Sequence, residues 1–266
     1  MTSYEGSLRK LRVEQGDDIQ YHLPIGDDYV FLNSLIGKTV SIQFQQKILC
    51  IGCGRVTRKS FFQGYCYPCF QSSPETSPCI IRPELCRAHE GIGRDMDWET
   101  KHHLQPHYVY LSLTSHLKVG VTRDCQVPTR WIDQGATAAI IVAETPNRYL
   151  AGCIEVALKA HYSDRTSWQA MLKSEPQDGF DLHAEKRRCV SLLDPSYHGY
   201  CERDDAVMIF SYPVQAYPTK ITSLNLDKQP LIEGQLTGIK GQYLYFDQGT
   251  VFNVRKFGGY VIGLSV

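Results

Sequence analysis

The sequence predicts an α+β protein in which two β-rich termini flank a cysteine-rich segment and an α/β module. Three observations predict it. Six of the ten cysteines lie between positions 50 and 86 in paired spacing, the following segment orders its periodic runs β-β-α-β-α, and both ends alternate apolar and polar residues between glycine-marked turns. The expected organisation is an N-terminal β segment at 1–49, a zinc-binding region at 50–103, an α/β module at 104–200 and a C-terminal β segment at 201–266.

Residues 1–49 carry two stretches, YHLPIGDDYVFL and GKTVSIQFQQKILC, that read as hairpin material. Residues 50–103 show little periodicity, as expected where metal rather than an apolar core holds the chain. In the next segment HYVYLSLTS and LKVGVTR form a hairpin signal, Arg130-Trp131 opens a helix after Val127-Pro128, and TAAIIVAET is a third strand. NRYLAGCIEVALKAHY then places Leu150, Ile154, Leu158 and Tyr162 on one helical face, with Asn147 or Thr145 as its cap. The final segment is broken every few residues by glycine, and the two terminal β segments are candidates for one shared small barrel.

Hydrophobic residues make up 42% and charged residues 21% of the 266, which suits a globular protein with a core. Lys+Arg and Asp+Glu are both 28, so bulk charge does not drive contact with nucleic acid and any such contact needs a local basic surface. No run is long and apolar enough for a membrane span, and the polar N-terminus lacks a signal-peptide core. Paired cysteines without an export signal point to metal binding in a reducing compartment, hence a cytoplasmic location.

Cys50-x2-Cys53 and Cys66-x2-Cys69 are two knuckles, each setting two thiolates on one turn, and together they complete a tetrahedron for Zn2+. Gly52, Gly54 and Gly64 stand where such turns need unusual backbone angles. With all four positions supplied by protein, this zinc is structural. Cys79, Cys86 and His89 suggest a second Cys2His2 site, with His103 chosen over His102 and His107 as fourth ligand.

The 108–172 stretch gathers aromatic hydroxyls, a lysine, arginines and one carboxylate, parts suited to phosphodiester hydrolysis. The segment resembles the GIY-YIG nuclease superfamily. Tyr108-Val109-Tyr110 stands for its first motif and Lys118-Val119-Gly120 for its second, followed by Arg130 on a helix and Glu155 on a later one. The resemblance implies Tyr110 as general base or water-orienting group, Lys118 in the second motif, Arg130 on the scissile phosphate and Glu155 on Mg2+ or Mn2+. Tyr108 replaces a motif glycine, Lys118 a motif tyrosine, and Gln134 a histidine after the arginine. The whole chain is also similar to a prokaryotic family of unknown function that joins a zinc region to such a module.

The competing reading makes Tyr108 and Tyr110 ordinary strand aromatics and Arg130 with Glu155 a structural ion pair, and places Trp131 in the core. Lys240, Arg255 and Lys256, with Tyr243, Tyr245, Phe246 and Tyr260, are candidates for a basic aromatic face toward nucleic acid, the alternative being that the aromatics fill the core, and Arg123 is a separate candidate contact. The expected function is a zinc-containing protein that binds DNA or RNA and is a candidate metal-dependent nuclease. The alternative is an inactive zinc scaffold for RNA or a protein partner.

Overall fold

A computed structural model describes residues 2–173, 180–202 and 206–266 of the chain. Its elements begin with β1 (Ser3–Ser7), β2 (Arg12–Glu14), β3 (Gln20–Ile25), β4 (Asp28–Phe31), β5 (Thr39–Leu49), β6 (Val56–Thr57), α1 (Tyr67–Ser72) and α2 (Met96–His103). Next come β7 (His107–Leu113), β8 (Leu117–Arg123), α3 (Thr129–Asp133), β9 (Ala138–Thr145), α4 (Arg148–Leu158), α5 (Trp168–Lys173) and α6 (Leu182–Leu192). The chain closes with β10 (Met208–Ile209), β11 (Thr222–Ser223), β12 (Leu231–Lys240), β13 (Tyr243–Phe246), β14 (Thr250–Asn253) and β15 (Tyr260–Ser265). Two compact units result, one from Met1–Gln71 with Ser211–Val266 and one from Ser72–Phe210.

In the first unit the two chain ends share a sheet. Its path runs β1-β15-β5-β12-β13-β14-β11, with β5 pairing both β15 and β12 antiparallel. Ile42 of β5 stands opposite Leu264 on one side and Ile232 on the other, and all three are buried. The alternation of Val40, Ile42 and Phe44 sets that register, because a one-residue slip would turn each of them out of the core. The sheet is an open path, not the closed barrel expected from the sequence. A second correction concerns GKTVSIQFQQKILC. It forms the single strand β5 and no hairpin, with Gln46 at φ 55° where the pairing to β15 shifts register. The YHLPIGDDYVFL stretch does form a hairpin, β3–β4, turning at Gly26 with φ 59°.

In the second unit a four-stranded antiparallel sheet has the order β10-β9-β7-β8. Val109, Leu111, Val119, Ile140 and Val142 pack with Ala151, Ile154 and Leu158 of α4 and with Leu182 and Cys189 of α6. The helix begins where Asn147 accepts a hydrogen bond from the Leu150 N–H at 3.0 Å, satisfying one of its unpaired first-turn donors. The predicted apolar face is rotated slightly. Ala151, Ile154 and Leu158 are buried, Leu150 is only partly covered, and Tyr162 packs from the turn beyond the helix end. Gly152 and Glu155 are buried as well, so α4 carries a second covered stripe beside its apolar one.

Truncating Ile154 to Ala removes a fully buried side chain and is expected to cost about 2–5 kcal/mol in urea denaturation. Leu150→Ala is expected to cost clearly less, and the reverse order would mean that α4 is turned differently on its sheet.

Candidate metal centres and the Tyr110 cluster

Cys50 directly follows β5, Cys53 lies on the tight turn after it, and Cys66 and Cys69 stand at the start of α1. The four sulfurs lie within 4.8 Å of one another. Gly54 closes the first knuckle at φ 72°, its N–H donating to the Cys50 carbonyl at 2.8 Å. Gly52 leaves room for Tyr65, whose ring carbon lies 3.1 Å from where a Cβ would stand. The Cys66 N–H donates to the Cys50 sulfur at 3.2 Å. Burial works to raise the Cys50 thiol, but N–H groups of Cys66, Cys53 and Gly52 outweigh it and hold the thiol down at about 6. Hydrogen bonds that the Cys69 thiol donates to the Cys66 and Cys53 sulfurs push it up to about 12. A bound cation would relieve that mutual opposition and ionise all four, so the donor set fits a thiophilic metal.

The second group is Cys79, Cys86, Glu99 and His103, all buried and with ligand atoms again within 4.8 Å. Cys79 sits in the turn Pro78–Ile80 and Cys86 follows the turn Pro83–Leu85, each turn opened by a proline whose fixed φ suits a first helical position. Glu99 and His103 are four apart on α2, one above the other, and the Glu99 carboxylate contacts His103 Nδ1. That nitrogen is 3.5 Å from the Cys86 sulfur. Cys86 and Cys79 share a hydrogen bond that lowers the Cys79 thiol to about 4 and raises that of Cys86. The expected ligand His89 lies outside the group. Its ring stacks on Tyr149, centroids 4.4 Å apart, because the turn Ala88–Glu90 points it toward α4. Cysteine and histidine spacing does not mark Glu99, although its place four residues before His103 on one helix carries the signal.

The remaining predicted groups come from four elements. Tyr110 on β7 pairs across the sheet with Gly120 on β8, and a Cβ at Gly120 would stand 2.6 Å from the Tyr110 hydroxyl. The glycine lets the ring lie over the neighbouring strand. By the two-residue strand period, Ser112 and Lys118 share that side of the hairpin with Tyr110. The Tyr110 hydroxyl donates to Gln134 Oε1 at 2.9 Å. Burial raises its pKa, with the Arg130 guanidinium opposing and the Glu155 carboxylate adding to the rise. Burial pulls Lys118 down to about 8, with Arg130 reinforcing and Glu155 opposing. Burial also raises Glu155, whose nearest cation is Lys159 at 3.2 Å, while Asp164 and Glu84 push it further.

Tyr110 and Lys118 therefore each lie within electrostatic reach of Arg130 and Glu155. The first, second and fourth are 1%, 4% and 6% exposed, and Arg130 is half-buried. The group is gathered but largely enclosed. Trp131 is in the core, its ring edge against Tyr110 at 5.6 Å.

Of the candidate nucleic-acid contacts, Arg123 is half-buried at the end of β8. Arg255 donates to Gln63 Oε1 at 2.7 Å, and Lys256 is exposed. Lys240 is a correction. It is fully buried, its ammonium 4.9 Å from the Tyr217 ring centre and 5.3 Å from that of Tyr212, so it presents no charge to a phosphate. Tyr245, Phe246 and Tyr260 are buried too, so these aromatics pack in the interior instead of forming an exposed stacking face.

Purified protein is expected to carry two equivalents of metal. Cys53→Ser and Cys86→Ser are each expected to lose one equivalent by elemental analysis, with a lowered melting temperature because bound metal is part of the folding free energy. Retention of both equivalents in either variant would remove that cluster from the metal-binding account.

No curated protein and no solved structure shows a significant match to the chain. A family described as "Protein of unknown function (DUF2797)" matches residues 37–262, a span that includes both cysteine clusters and the Tyr110 group. The chain belongs to that family.

Proposed function

We propose that both metal centres hold zinc, and that the protein binds nucleic acid and hydrolyses phosphodiester bonds at the Tyr110–Lys118–Arg130–Glu155 cluster. The observation that carries this reading is the convergence of a phenol, an amine, a guanidinium and a carboxylate from β7, β8, α3 and α4. The order of these residues along the chain resembles that expected of a GIY-YIG-like module, which supports the same reading.

On this reading the roles differ from those expected from sequence. A phenol with a raised pKa that donates to Gln134 is a poor base, so Tyr110 orients its neighbours. Lys118, lowered to about 8, is the better group to take the proton from the attacking water. The water oxygen then bonds to phosphorus as the ester P–O bond breaks, and Arg130 holds the charge on the non-bridging oxygens. Glu155 would hold Mg2+ or Mn2+, which supplies Lewis-acid stabilisation of the leaving oxygen. Arg123, Arg255 and Lys256 remain candidate phosphate contacts.

The second reading, an inactive scaffold for RNA or a protein, is favoured by the enclosure of the cluster and by Lys159 standing on Glu155. Among the described residues no helix is long and apolar enough to cross a membrane. Cysteines without disulfides suit a reducing, cytoplasmic setting.

The test is a panel of labelled single- and double-stranded DNA and RNA with Mg2+ or Mn2+. Wild type is expected to bind with affinity falling steeply as salt rises, and to cleave at a rate climbing with pH to a plateau above about 8, where Lys118 is neutral. Glu155→Ala is expected to lose cleavage by a factor of 100 or more while still binding, on the order seen for loss of one catalytic group. Salt-dependent binding with no cleavage by either protein would select the scaffold. Absence of binding would sink both nucleic-acid readings.

A further inference from the structure

We infer that the Cys79–Cys86–Glu99–His103 centre is the brace of α4, and that Arg148 is its counter-charge, a positioning residue outside the ligand set. The inference is independent of any activity at the Tyr110 cluster.

The argument starts from the covered polar stripe of α4. Arg148, Gly152 and Glu155 fall at i, i+4 and i+7, one face of the helix. That face meets the ligand-bearing turns. Arg148 Nε donates to the Cys79 carbonyl and one of its terminal nitrogens to the Ile80 carbonyl, both at 2.9 Å. One turn on, a Cβ at Gly152 would overlap the Glu84 backbone nitrogen and lie 2.5 Å from the Pro83 carbonyl carbon. The Pro83–Leu85 turn, between the two cysteine ligands, is therefore seated directly on the helix backbone. His89, three residues past Cys86, makes a third attachment by stacking on Tyr149.

Charge gives this arrangement its direction. Two thiolates and a carboxylate around a divalent cation leave roughly one net negative charge in a buried site, and such a charge needs a partner. Arg148, a guanidinium anchored on the ligand-bearing turn, supplies it. Its two hydrogen bonds fix the fork on the carbonyl of a ligand residue and of its neighbour, as outer groups around metal sites commonly do. Metal at this centre thus sets where the Pro83–Leu85 turn lies, and the turn together with Arg148 sets α4. Glu155 lies on the same stripe, three residues beyond Gly152.

The experiment uses the full-length, zinc-loaded chain. Hydrogen exchange over residues 148–158 is compared in wild type, Cys86→Ser and Cys53→Ser. Zinc retention against a chelator and the cobalt-substituted absorption spectrum are measured for Arg148→Met and Arg148→Lys. Loss of the second metal in Cys86→Ser is expected to speed α4 exchange tenfold or more, whereas Cys53→Ser leaves it unchanged. Arg148→Met is expected to weaken zinc retention at one equivalent by about 10–100-fold, the usual range for an outer-shell residue, with Arg148→Lys recovering most of it. Where Cys86→Ser does not fold, stepwise chelation of wild type provides the same exchange comparison. Unchanged α4 exchange after loss of the second metal overturns the brace, and equal loss in Arg148→Met and Arg148→Lys overturns the counter-charge.

Discussion

The contact of α4 with the Pro83–Leu85 turn at Gly152 is the constraint on which the second unit depends. A helix normally needs one covered face, and α4 has two. Ala151, Ile154 and Leu158 are held by the sheet, through apolar burial that tolerates small adjustments of angle. The Arg148–Gly152–Glu155 stripe is held by backbone-to-backbone approach and two carbonyl hydrogen bonds, which tolerate almost none. Orientation of the helix follows from the second set. That set belongs to a segment with only a small apolar cluster of its own, Cys79, Cys86 and Ala88 with Tyr149 against it.

The first unit is stabilised differently. Its sheet draws strands from both chain ends, so β5 and β15 pair across more than two hundred residues of sequence. The Cys50–Cys69 knuckles extend directly from the end of β5, with N–H donors turned toward a sulfur. The Tyr110 cluster shows the opposite economy. Tyr110, Lys118 and Glu155 are buried, and enclosure is the largest cause of the displaced pKa of each. Stability alone does not favour such a group, and perturbed titratable residues held together in this way are a recognised mark of functional sites.

Much of this was legible in the residues. The C-x2-C pairs have one economical geometry, and the β7–β8 hairpin, β9 and the Asn147-capped α4 each carry a local signal. Other features lie in contacts that no local window contains. Lys240 reads as a surface cation, and only the fold encloses it beside Tyr212 and Tyr217. β5 reads as two strands because Gln46 interrupts its alternation, and the partner strand that carries it through the bulge is remote in sequence. Glu99 looks like any surface glutamate of a helix until the turns bearing Cys79 and Cys86 close over it.

The two candidate metal centres are chemically distinct, one of four sulfurs and one of two sulfurs with a nitrogen and an oxygen. X-ray absorption at the zinc edge on the protein as purified distinguishes them. With both sites filled, the averaged first shell is expected to hold about three sulfurs and one light atom per zinc, with Zn–S near 2.3 Å and a lighter shell near 2.0–2.1 Å. Cys86→Ser should then shift the average to sulfur alone. An all-sulfur shell in the wild-type protein, unchanged by that substitution, would contradict the second centre.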